Sequence, residues 1–406
     1  MTETPEYAGV SHLYEHMFFK ANAVIPNQEA YMARVRELGI KFNGTTGTER
    51  VNYFFTTTSN HLDEAMVFMR DAIMTPKFDA EELDKERVVV TGEMDRAESS
   101  PFYWFNRAVQ RRLWHKHPWR KDALGRRETV LAATPEMLRT IQKRYYVPNN
   151  SLLVVTGDVS AKEIFASADQ LYADWKRAPD PFVAHPLPPH PPLKRSELVV
   201  VEKPVQTFVG TLVWHGPSTV PGEMAATYAA DAFGTVVDEP SSRFQKALVD
   251  SGHCVGARLG WYTQRNVGPL SLQFQAAPDK IEACTQAVFA EIETMQKPGY
   301  VTAEELATAA NTLRIAKIYE RERPSALAHL ITFWWASASL DYYLGYVDNV
   351  AKVTPADVTG FVTRYMKDKP FVFGALLSPE MKADGKTAKR LAEIAGVKVV
   401  LKGGAK

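Results

Sequence analysis

His12, Glu15 and His16 could do chemistry together, because a helix would carry all three on one side. At ~100° per residue, positions four apart lie one turn apart, so the two imidazoles share a face and the carboxylate sits beside them. Neutral imidazoles at that spacing suit a single Zn2+. A carboxylate next to them can take a proton from a water that the metal has acidified. The order is HxxEH rather than HExxH, and the chemistry it points to is metal-dependent hydrolysis. Gly9-Val10-Ser11 before the motif and Met17-Phe18-Phe19 after it predict a helix buried on at least one side. Titratable groups there need partners.

Two histidines leave a metal short of protein ligands, so a third is expected, and residues 79–93 hold the best candidates. Asp79 followed three positions later by Glu82 reads as a capping-box helix start. On that helix Glu86 and Glu93 are seven apart and share a face, with the apolar Val89 and Val90 close by. Carboxylates so placed call for a cationic partner. Gly92 is expected to let another backbone approach Glu93 closely.

Taken together, these residues resemble the M16 metallopeptidase family (pitrilysin, insulinase, mitochondrial processing peptidase). The likeness rests on His12 and His16, then 76 intervening residues, then Glu93, with Glu86 seven earlier. Residues 42–46 (FNGTT) with 49–53 resemble the family's Asn-Ala-x-Thr strand segment. Residues 145–150 (YYVPNN) and 152–159 (LLVVTGDV) resemble the strand that closes its first domain. The resemblance implies His12, His16 and Glu93 as ligands of one Zn2+ per chain. Glu15 would be the general base and Glu86 a carboxylate that orients a ligand. Three protein ligands leave a fourth position open for water, as catalysis needs. An edge strand at Asn43, Gly44, Thr45 and Thr46 is expected to bind substrate by adding an extended peptide, so unfolded peptides would be cleaved with little regard to sequence.

The elements that must position these residues form a chain of 406 residues, long enough for two domains of about 200. Hydrophobic content of 45% and charged content of 23% are ordinary for a soluble globular protein, and a net charge of +1 gives no sign of a nucleic-acid partner. No apolar run is long enough to span a membrane. Cys254 and Cys284 do not make a disulfide framework and are read as small core residues. The sequence shows no signal peptide, but the motif lies so near residue 1 that the first strands and a leader could be missing. Localisation is left between cytoplasm and periplasm.

Residues 179–192 hold seven prolines, a run expected to be neither helix nor central strand but a stiff tether. The sequence repeats on either side of it. Ala80-Glu81-Glu82-Leu83 is echoed by Ala303-Glu304-Glu305-Leu306, an offset of 223; Thr134-Pro135 leading to Arg144-Tyr145 is echoed by Thr354-Pro355 leading to Arg364-Tyr365, an offset of 220. Two echoes at nearly equal offset argue for duplication. The repeat is chemically lopsided: Glu86 and Glu93 fall on Ala309 and Ala316, and no HxxEH occurs near 229–237. Strand-like runs at 51–57, 152–156, 197–201 and 270–275 mix with helical periodicity at 62–73, 135–144, 280–295 and 303–318. The expected fold is therefore α+β: two homologous domains, each a largely antiparallel sheet with helices packed on it, facing each other around a chamber. The expected boundaries are 1–178 for a zinc-bearing domain, 179–195 for the tether and 196–406 for a domain without a metal site.

Many members of the family carry an Arg and, seven residues on, a Tyr in the second half, which bind substrate and steady the oxyanion. This sequence keeps Ser242-Arg243-Phe244 and Leu248, then has Val249 at the Arg position and Cys254 or Val255 at the Tyr position. Tyr262 is a candidate substitute at the wrong spacing. The absence implies a heterodimer in which this chain holds zinc and a zinc-free paralogue holds the Arg and Tyr. A homodimer or self-sufficient monomer stands as the alternative to that arrangement. A non-catalytic scaffold, a peptide-binding subunit and a zinc hydrolase of another class stand as alternatives to peptidase function.

Overall fold

The structure is a computed structural model and describes residues 3–382 and 385–400. Helix α1 (Val10–Phe18) starts from Gly9, whose φ of 95° is left-handed. Space reinforces the choice, since a Cβ on Gly9 would stand 2.6 Å from the Leu124 carbonyl oxygen. Glu3 satisfies the helix start by accepting the N–H groups of Gly9 and Ser11, each at 2.9 Å. Helix α2 (Gln28–Glu37) is capped by Asn27. The strands β1 (Lys41–Thr46) and β2 (Val51–Thr56) then pair antiparallel, Gly44 opposite Tyr53.

Helices α3 (Leu62–Met74) and α4 (Ala80–Glu98) follow. Asp79 caps α4 as its sequence foretold, its Oδ1 accepting from the N–H groups of Glu81 (2.9 Å) and Glu82 (3.1 Å). Beyond them come α5 (Pro101–Leu113), α6 (Arg127–Ala132) and α7 (Pro135–Tyr145). Leu13, Tyr14 and Met17 of α1 share one buried cluster with Leu83, Val90 and Met94 of α4 and with Leu138 and Ile141 of α7. Each such side chain contributes about 1.5–3 kcal/mol by leaving water. That packing, more than helix propensity, fixes α1 relative to α4.

The chain folds as two compact units that do not follow its halves. One takes residues up to 97, 119–189 and 320–336; the other takes 98–118, 190–319 and those from 337 on. Helix α5 thus belongs to the second unit, where Phe105, Val109 and Leu113 pack with Val199, Val213 and Leu376 of the sheet. The helix Pro324–Ser337 belongs largely to the first unit, where Arg50 of the β1–β2 hairpin donates to the His329 carbonyl at 2.9 Å.

The second unit is built on a six-stranded sheet of β3 (Glu197–Glu202), β4 (Phe208–His215), β5 (Gly256–Trp261), β6 (Pro269–Ala276), β7 (Val372–Leu377) and β8 (Lys398–Val400), in the order β5-β6-β4-β7-β3-β8. Its pairings are antiparallel except for β3 with β7 and with β8. The fold is therefore α+β with largely antiparallel sheets, as the sequence predicts. Both echoes of the repeat are structural: Thr134 and Thr354 each cap a helix that starts with Pro, and Ala80 and Ala303 each begin a helix.

Four sequence expectations need correction. Residues 152–156 are not a strand, because among the described residues no neighbouring strand pairs with them. The proline run holds one turn of helix, Pro181–Ala184, since Asp180 caps it and Pro at the first helical position lacks only an N–H that would be unpaired anyway. Gly92 admits no close neighbour: among the described residues nothing outside its own stretch of helix lies within 4 Å of where its Cβ would stand. Cys254 and Cys284 form a disulfide, because the turn leading into β5 and the helix Ile281–Met295 bring their Cα atoms to 5.0 Å.

Candidate metal centre

Helix α1 presents His12 and His16 one turn apart, their rings 4.8 Å between centroids and perpendicular. Helix α4 brings Glu93 to them, with its Oε2 3.6 Å from His12 Nε2 and 3.7 Å from His16 Nε2. Among the described residues these three are the one group of His, Cys, Asp or Glu whose potential ligand atoms gather, all within 4.8 Å. Ligands about 2.1 Å from one tetrahedral metal ion stand ~3.4 Å apart, so the carboxylate–imidazole separations fit a shared cation. Two nitrogens and one carboxylate oxygen form a borderline donor set that suits zinc among other divalent ions.

Glu86 lies seven residues, about two helical turns, before Glu93, and its Oε2 is 2.9 Å from His16 Nδ1. Its other oxygen takes the Lys20 ammonium at 2.5 Å. Burial alone would raise the Glu86 pKa, but the His16 hydrogen bond and the two Lys20 interactions outweigh it and hold the carboxyl below its usual range. With Nδ1 held by Glu86, His16 turns Nε2 toward Glu93. Lys20, four residues beyond His16, is the partner that sequence reading missed. Its spacing on the α1 side was the available signal.

The two imidazoles differ. Burial, helped by His16, pulls His12 down to about 4, so it is neutral and its lone pair is free for a metal. Burial also pulls His16 down, but the Glu86 hydrogen bond and the charges of Glu93, Glu86 and Glu15 raise it above its ordinary value. An anionic surround of that kind favours a proton, or a metal cation in its place.

Glu15 is buried on the same helix. Burial raises its pKa; the Thr46 hydrogen bond and His16 oppose that, Glu93 adds to it, and the net direction is up. Behind it the aromatic rings of Tyr14 and Tyr146 stack at 4.2 Å, and the Tyr53 and Tyr146 hydroxyls meet at 2.7 Å. That wall was not legible in the sequence, because its members come from three separated elements.

Strand β1 divides the four residues expected to bind substrate. Gly44 and Thr46 face Glu15, Thr46 donating its hydroxyl to Glu15 Oε2. Asn43 and Thr45 are exposed on the other face. Tyr262, just beyond β5, is half-exposed in the second unit.

Comparison with known proteins agrees with this fold. Residues 1–128 match the insulinase-type peptidase family M16, and residues 132–313 match the peptidase M16 inactive domain. The chain belongs to the M16 peptidase family. It is 23% identical over 376 residues to the zinc protease PqqE of Helicobacter pylori, covering 90% of this chain and 82% of that one. It is 30% identical over 158 residues to an uncharacterized zinc protease, YmxG, of Bacillus subtilis, covering 39% and 38%. In the alignments with YmxG and with a zinc protease of Rickettsia felis, the chain spans only 38% and 42% of those proteins. The crystal structure of a protease from Helicobacter pylori superposes with a TM-score of 0.81 at 21% identity, over 92% of this chain and 91% of that one. The periplasmic protease PqqL of Escherichia coli gives 0.77 at 19% identity, over all of this chain and 47% of that one. These structural likenesses establish the fold.

Proposed function

We propose that this chain is a zinc-dependent endopeptidase acting on unfolded peptides, with His12, His16 and Glu93 as the ligands of one Zn2+. The observation that carries the reading is the convergence of those three ligand atoms beside a buried carboxylate, Glu15. The naming of several M16 relatives as zinc proteases supports it. When bound, Zn2+ supplies Lewis acidity, acidifying a water and polarising the scissile carbonyl. Glu15 takes the proton of the attacking water and returns it to the departing amide nitrogen. Glu86, anchored by Lys20, keeps the His16 ring turned toward the metal position. The exposed side chains of Asn43 and Thr45 and the strand backbone suit pairing with an extended peptide.

Val249 at the Arg position, and Cys254 (locked in a disulfide) or Val255 at the Tyr position, support a division of labour with a zinc-free M16-like paralogue that supplies both groups. The sequence domains proposed for this arrangement are 1–178 and 196–406, joined by the tether. The disulfide also favours an oxidising compartment, here the periplasm, over the cytoplasm. Among the described residues no helix is long and apolar enough to cross a membrane.

The test is mass-spectrometric detection of peptide cleavage by the zinc-loaded chain beside its Glu15→Gln variant. Cleavage by the parent and not the variant is expected with the paralogue present. Cleavage by the parent alone would remove the obligate partner. Equal cleavage by parent and variant would remove the mechanism.

A further inference from the structure

The four residues of β1 expected to touch substrate are not equivalent, and two of them are already committed elsewhere. Successive strand side chains alternate between faces, so Gly44 and Thr46 share one face. That face meets the Glu15 side chain. A Cβ built on Gly44 would lie 2.5 Å from Glu15 Oε1, 2.6 Å from its Cγ and 2.8 Å from its Cδ. The carboxylate therefore occupies the volume that any larger residue at 44 would claim. Gly44 has ordinary backbone torsions, so its value here is space, not conformation. Two positions on, the Thr46 hydroxyl donates to Glu15 Oε2. One residue makes room for the carboxylate, and the other ties down one of its oxygens.

We infer that Gly44 and Thr46 are positioning residues for Glu15 and not subsites for the peptide. The inference rests on the hydrolytic reading of the site and deepens it. A base free to swing loses alignment with the water it serves, and small misplacements cost large factors in rate. Because both residues belong to the strand proposed to pair with substrate, the same backbone that orders the peptide sets the base. The side chains of Asn43 and Thr45 are left to meet the substrate.

Thr46→Val keeps the shape and strand propensity and removes only the donor. It is expected to lower kcat about tenfold with KM unchanged, and Thr46→Ser is expected to restore kcat to within about twofold. Gly44→Ala is expected to lower kcat further, because it displaces the carboxylate. Two readouts need no turnover. A fluorescein-labelled unstructured peptide should bind Glu15→Gln and Glu15→Gln/Thr46→Val with equal Kd, and zinc affinity by chelator competition should not change. In crystals of the zinc-loaded variants the Glu15 carboxylate should have left its position in both Thr46→Val and Gly44→Ala. A raised KM and weakened peptide Kd with kcat intact would overturn the inference and make Thr46 a peptide contact. An unmoved carboxylate in both crystals would overturn it even where activity cannot be read. Failure of the hydrolytic reading is separate and shows first, as a zinc-loaded parent that cleaves nothing even with the paralogue present.

Discussion

Two helix pairs in this chain descend from the same pattern and solve opposite electrostatic problems. In the first unit α1 and α4 gather the carboxylates of Glu15, Glu86 and Glu93 against a single ammonium, Lys20, with His12 neutral. The carboxylates outnumber the ammonium, and a proton on His16 or a metal cation would offset them. In the second unit the helices Met224–Asp238 and Ala303–Tyr319 carry Asp231 and Lys317. Lys317 is buried, its ammonium 4.4 Å from the centre of the Tyr343 ring and 5.0 Å from that of Tyr346. The Tyr346 hydroxyl donates to Asp231 at 2.8 Å. Ala309 and Ala316 stand where the repeat places Glu86 and Glu93. The charges of Asp231 and Lys317 oppose each other here, and among the described residues no cluster of potential metal ligands forms on these helices. The lesson is that a duplicated scaffold needs its helices tied together, and either a bound cation or a built-in ammonium can do it.

The comparison breaks most sharply at Glu15. Glu15→Gln is expected to cut kcat by at least about a hundredfold while zinc still binds, as measured by turnover beside metal content. Lys317→Met is expected to cost about 1–3 kcal/mol of stability through lost ring contacts and an uncompensated Asp231, read from denaturant unfolding. Metal content should not change, which sets the second unit's cation apart from the first unit's. Lys20→Met should weaken zinc binding about tenfold, with Lys20→Arg close to the parent, because Glu86 loses the partner that anchors it. A Lys20→Met variant with undiminished zinc affinity would place Lys20 outside the site.

The smallest effect is a pH dependence. Burial raises the Asp231 pKa to about 6, against the opposing Tyr346 hydrogen bond and Lys317 charge. A folded value above the unfolded one means that the fold prefers the protonated form. This group's stabilisation is therefore fullest below its unfolded pKa and is lost as pH rises through about 6. Asp231→Asn should flatten the fall in melting temperature between the acid range and neutrality, and an identical profile in parent and variant would contradict the assignment.

Much of this was legible because periodicity and spacing are local. The one-turn offset of His12 and His16, the Asp79 cap and the repeat echoes each follow from near neighbours in sequence. Contacts made by tertiary packing were not legible. Thr46 reads as a strand residue until α1 brings Glu15 against it, and Lys20 reads as a surface lysine until α4 supplies Glu86. The cysteines, 30 residues apart, carry no spacing signal, and only the fold makes them neighbours. Residues 152–156 have the composition of a strand, but a strand exists only where another lies beside it.

Metal stoichiometry tests the central claim most directly. Purified chain reconstituted with Zn2+ and freed of excess is predicted to retain one zinc by elemental mass spectrometry, and its His16→Ala and Glu93→Ala variants to retain none. A parent without zinc, or variants that keep it, would contradict the assignment of His12, His16 and Glu93.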